Sequence, residues 1–135
     1  MATPRQTLAA ALAADHPSWV VLPYLIQPQN VTLGKPLVCV FREAVNPGAK
    51  VTFLDHKLSV IAYGARTAGE KAEDELDELL DGVLLTVERL KGWHYTEASR
   101  DEFFEGTFTG WRIGVSMTSP NVYRSIIHEE RTNNA

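Results

Sequence analysis

The sequence predicts an α+β domain: a mixed, mostly antiparallel β-sheet with a short N-terminal helix and one long amphipathic helix packed on one face. Three observations carry that prediction. Leu76, Leu79, Leu80, Val83, Leu84, Val87 and Leu90 recur at the i, i+3, i+4, i+7 spacing of a helix with one apolar stripe. Runs of strand length, rich in valine, isoleucine and aromatic residues, lie on both sides of that segment. Hydrophobic residues make up 44% and charged residues 22% of the 135, an ordinary globular balance that speaks against disorder.

Thr3, Pro4 and Gln6 form the pattern of a helix N-cap, a proline in the first turn and a capping-box glutamine, so a helix of about three turns is expected until His16-Pro17 ends it. The segment lacks a small-residue cleavage site after its alanines and leucines and reads as mature protein. Trp19 to Ile26 reads as an edge or kinked strand, because Pro23 cannot donate to a ladder. Leu37 to Arg42 is a continuous apolar run bounded by Pro36 and by Asn46-Pro47-Gly48, as expected of a central strand.

From Lys50 onward, Val51 and Phe53 occupy odd positions while Leu58, Val60 and Ala62 occupy even ones. That change of parity predicts one long strand ending at Gly64 with a bulge near Asp55 to Lys57. Thr67 to Glu70 reads as a second capping box, opening a helix from about Glu70 to Lys91 with Gly92 beyond its end. Trp93 to Arg100 and Phe108 to Thr118 predict a C-terminal hairpin closed by Ser119-Pro120. Residues 1–122 are expected to form a single domain, with 123–135 a polar tail that orders only on a partner.

The net charge of −4 argues against a general duplex-binding domain. Seven acids and one base between Glu70 and Asp81 give that stretch −6, leaving +2 elsewhere, and the helix dipole favours acids in its first turns. No apolar run reaches the roughly 20 residues of a membrane-spanning helix, so no membrane partner is expected. The single cysteine, Cys39, has no intrachain disulfide partner and reads as a small buried residue.

Catalytic signatures are missing from the sequence. The nine glycines form no phosphate-binding loop, and no serine sits in a G-x-S-x-G elbow. His16, His56, His94 and His128 are too far apart for zinc spacing and read as surface or turn residues, and the helix acids lack the calcium-loop pattern. No catalytic residue, cofactor or metal is expected. Trp19, Trp93 and Trp111 read as core or subunit-contact residues.

Two stretches are similar to a known family. Leu58-Ser59-Val60-Ile61-Ala62-Tyr63, leading to Ala72 through Asp81 and then Val83-Leu84, together with Gly110-Trp111-Arg112-Ile113-Gly114-Val115, resemble the tail terminator (tail completion) proteins of long-tailed bacteriophages, especially those infecting actinobacteria. The order of elements agrees over nearly the whole chain; Pro23 and the polar stretch beyond Tyr123 depart from the pattern. The resemblance implies a virion protein of the tail-neck region, assembled in the host cytoplasm. It implies a ring, typically a hexamer, that caps the head-proximal end of the tail tube, ends tube polymerisation and joins the tail to head-completion or connector proteins. DNA would pass through the lumen without sequence-specific binding, and no catalytic residues carry over. Loops Gln27 to Lys35 and Glu43 to Lys50 are expected to touch neighbouring subunits or the tube, with Gln27, Gln29, Asn30, Lys35, Arg42 and Lys50 as the contact candidates. Two other readings stand beside it: another neck (head-closure or connector) protein, and a small α+β enzyme or ligand-binding domain. The last would use the Asp55-His56 and His94 region and predicts a pocket with a perturbed histidine or carboxylate.

Overall fold

The computed structural model describes residues 3–26, 35–48, 50, 52–64, 69–103, 108–120 and 122–133. The chain runs α1 (Pro4–Asp15), β1 (Val20–Leu22), β2 (Leu37–Pro47), β3 (Phe53–Tyr63), α2 (Glu70–Arg89), β4 (Trp93–Phe103), β5 (Phe108–Pro120) and α3 (Val122–Asn133). The strands form one sheet in the order β1-β2-β3-β5-β4, with β1 parallel to β2 and every other pair antiparallel. The α+β class and the mixed, mostly antiparallel sheet are therefore as the sequence predicts.

Helix α1 begins on the predicted capping box: Gln6 N donates to Thr3 Oγ1 at 3.4 Å and Thr3 N donates to Gln6 Oε1 at 3.0 Å. Helix α2 starts differently. Its N-cap is Gly69, at φ +103°, which a side chain would strain, and no side chain caps it. The start at Gly69 differs from the expected capping box of Thr67 to Glu70, of which Thr67 itself lies outside the described residues. The helix stripe divides by depth: Leu76, Leu79, Val83 and Val87 are buried, whereas Leu80, Leu84 and Leu90 sit at the core margin.

Both helices pack on one face of the sheet. Leu8 and Leu12 of α1 and the buried residues of α2 meet Val38, Val40, Leu58, Val60, Ala62, Ile113 and Val115, the alternate residues of the three middle strands. On the opposite face Leu37, Cys39, Ile61 and Tyr63 make a smaller cluster, with Val20, Leu22, Ile26 and Phe41 around it. Cys39 is buried, and its surroundings raise its pKa by desolvation, which keeps the thiol protonated. The three tryptophans all join the main core: Trp93 is buried, Trp19 stacks on His16, and Trp111 Nε1 donates to Leu76 O at 2.9 Å.

The bulge falls on a different strand from the one the sequence implied. Strand β3 keeps an unbroken register with β5 from Phe53↔Pro120 to Tyr63↔Gly110. The extra residue is in β2, where Arg42 pairs with Leu58 but Ala44 pairs with Lys57. Strand β3 is regular because Phe53 is exposed and His56, not an apolar residue, continues the buried even-numbered face. The apolar run of β2 stops at Phe41, but the strand continues to Pro47, since a ladder against β3 satisfies the backbone whatever the side chains are. Residues Glu43 to Pro47, expected to begin a loop, are therefore strand.

The stretch beyond Tyr123, expected to be an unordered tail, forms helix α3. It was hidden by its polarity: only Tyr123, Ile126 and Ile127 mark the helical spacing, and all three are exposed.

Candidate functional site

A cleft of about 470 Å³ opens at the end of the sheet where β3 begins and β5 ends. Thr3, Pro4 and Thr7 of α1 form one wall. Leu54, His56, Met117 and Ser119 form the floor, and Arg42, Trp93, Pro120 and Tyr123 complete the lining. Its size is within the ~300–1,000 Å³ of small-ligand sites, and most of its lining is apolar. Arg42 continues the face of Val38 and Val40 in regular alternation, opposite Leu58 and two residues along the same face from His56, just before the bulge in β2.

His56 is 6% exposed, and its Nε2 lies 2.7 Å from Ser119 Oγ. A hydroxyl both donates and accepts, so this bond holds in either neutral tautomer. His56 Nδ1 is buried with no hydrogen-bond partner among the described residues. Burial first, and the Arg42 cation second, push the imidazole below its ordinary pKa, against a smaller opposing pull from Asp55. The ring is therefore neutral at pH 7. A serine beside a neutral histidine has the outline of a nucleophile and its base, but such a pair needs a third group to orient the ring. Asp55 does not fill that role, because strand alternation points it to the other face, where it accepts from Thr118 Oγ1 at 2.9 Å. The arrangement favours binding of an apolar group over bond-making chemistry.

The other histidines are scattered. His16 stacks on Trp19 with 3.7 Å between ring centroids, and its Nε2 lies 3.2 Å from Gly82 O and from Thr86 Oγ1. Thr86 in turn donates to Asp15 Oδ2 at 2.8 Å. This network ties the end of α1 to the middle of α2. His94 is exposed, with Nδ1 3.6 Å from Glu88 Oε2. Thus the expectation of surface or turn histidines fails for His56, which is buried on a strand, while His16 sits half-buried at the turn that ends α1, and His56 and His94 do not share one site. The reason in each case is packing: a flat ring fits a strand face or stacks on an indole as an apolar residue would. Among the described residues no group of three histidine, cysteine or acidic side chains is arranged to hold a metal ion.

The acids of α2 are exposed apart from the half-buried Glu75, and Glu73 carries the best-formed ion pair. Arg100 Nη1 and Nη2 donate to Glu73 Oε2 and Oε1 at 2.8 and 2.7 Å, and the guanidinium lies 5.5 Å from the Trp111 ring centroid. That bidentate bond holds the Glu73 carboxyl below its usual pKa.

Of the contact candidates, Gln27, Gln29 and Asn30 lie outside the described residues. Lys35 is exposed just before β2, and Lys50 is exposed in the turn after it, where Phe53 N donates to Lys50 O at 3.0 Å. An 11-residue strand separates them, so they sit at opposite ends of the sheet and form no common patch. Arg42, between them, is the one that reaches the cleft. The cleft was legible in part, since His56 shares the even-numbered face of Leu58, Val60 and Ala62. Ser119, Trp93 and Tyr123 carried no signal, because only the fold brings them together.

No family model matches the chain, and no curated protein matches it.

Proposed function

We propose that this protein is a structural subunit of the bacteriophage tail-neck region, a tail-terminator-like ring component that caps the head-proximal end of the tail tube. The observation that carries the reading is the pair of open edges on opposite sides of the sheet. Among the described residues, β4 has no partner on its outer side, and β2 is covered by β1 only at Leu37, Val38 and Cys39. Two different open edges suit a head-to-tail contact, which closes into a ring when the rotation permits. Glu97, Arg100, Asp101 and Glu102 along β4, and the bulge in β2, blunt indiscriminate edge pairing and leave the edges to a specified partner. The excess of acids fits a lumen through which DNA slides, since clustered cations would grip its phosphates. In this reading the tube protein and a head-closure or connector protein are its partners, and it acts through contacts without catalysis.

The test is a phage lacking the protein. Overlong tails support a terminator; tails of normal length that fail to join heads point instead to a connector. A ligand-binding domain is the second reading, favoured by the apolar cleft and its neutral His56. It predicts that a His56→Ala protein assembles normally and loses function.

A further inference from the structure

We propose that helix α3 of one copy docks in the cleft of a second copy, with Ile126 and Ile127 entering the apolar floor and Glu130 meeting Arg42. The proposal deepens the ring reading and rests on it. Tyr123, Ile126 and Ile127 are 59%, 50% and 45% exposed, a helical stripe that its own chain leaves largely in solvent. Glu130 follows Tyr123 by seven residues and Ile126 by four, so the same stripe ends in an exposed acid. The cleft offers the matching chemistry: Leu54, Trp93 and Met117 give apolar surface, and Arg42 is an exposed cation with no acidic partner among the described residues. Apolar meets apolar and acid meets base.

The helix cannot serve its own cleft in this way. Asn121 alone separates the end of β5 from the start of α3, and one residue spans only about 3.5 Å. Tyr123 already forms part of the wall of its own cleft, whereas Ile126 and Ile127, one turn further along the helix, do not line it. A second copy supplies both halves of the contact at once, since each chain gives a helix and receives one.

The experiment measures the mass of the full-length protein in solution against concentration, for the wild type, Arg42→Glu, Glu130→Arg and an equimolar mixture of the two variants. The wild type is expected to self-associate. Each single variant sets like charges together and is expected to weaken association roughly a hundredfold. The mixture is expected to regain it, because each variant's cleft then accepts the other's helix. An Ile126→Asp protein on its own is expected to stay monomeric while keeping the wild-type circular dichroism and melting temperature. A wild type that is monomeric at every concentration overturns the contact, as does association that the variants leave unchanged or that mixing fails to restore. Failure of the ring reading looks different: the mixing test succeeds, but the assembly is a closed dimer that does not bind tail tubes.

Discussion

His56 Nε2 and Ser119 Oγ are 2.7 Å apart, a hydrogen bond that ties the start of β3 to the end of β5 across the floor of the cleft. The folded protein holds this imidazole below its ordinary pKa, so the unfolded chain binds a proton at a higher pH than the native one. Stability is full above about pH 6.5, the unfolded value, and falls as pH drops from there toward the lower native value. Melting temperature followed from pH 8 to 5 should show that fall, and a His56→Gln protein should show a flatter profile. Equal profiles would remove His56 as the source.

Ser119→Ala leaves a buried imidazole with neither nitrogen bonded within the protein. The expected loss is about 1–3 kcal/mol by chemical denaturation, the usual cost of orphaning a buried polar group. A neutral outcome would mean that water already reaches the ring.

Gly82 lies in the interior of α2, where alanine would gain about 1 kcal/mol in helix propensity. A Cβ there would come within 2.8 Å of Trp19 Cη2 and 2.9 Å of His16 Cε1. These ring atoms are stacked on each other, and His16 is held further by Gly82 O and Thr86. Neither ring has easy room to retreat. Gly82→Ala should therefore destabilise by up to about 2 kcal/mol and shift the fluorescence of Trp19. A stabilised G82A protein would show that the stack moves freely.

The same glycine illustrates how much of the fold the sequence disclosed. Periodicity announced α2 and its buried face, and the Thr3 capping box announced the start of α1, because both are local patterns of side chains. The His16-Trp19 stack on Gly82 joins positions far apart in the chain, and no local pattern encodes it. Strand β2 beyond Arg42 was hidden for the same reason: Glu43 to Pro47 form strand because β3 offers a ladder. The cleft was visible only at His56, through the even-numbered face it shares with Leu58, and α3 only through three apolar residues among polar ones.

The stripe of α2 is where sequence and packing can be told apart by measurement. On periodicity alone Leu80 is a central stripe position, and its replacement by aspartate is expected to unfold the protein. The structure grades the stripe more finely: Leu79 is 1% exposed against β-strand side chains and Leu80 lies at the core margin, while Leu85, outside the stripe, is 53% exposed. Leu79→Ala should cost about 2–5 kcal/mol, because its cavity is walled by strand residues that cannot collapse. Leu85→Ala should stay within about 0.5 kcal/mol of the wild type, since its methyl groups are already wet. Leu80→Asp should fall between the two, because a marginal carboxylate can turn toward water instead of remaining unpaired in the core. Urea unfolding of the three proteins gives the order directly. If Leu85→Ala costs as much as Leu79→Ala, the outer face of α2 is covered in solution, and the helix itself belongs to a contact between subunits.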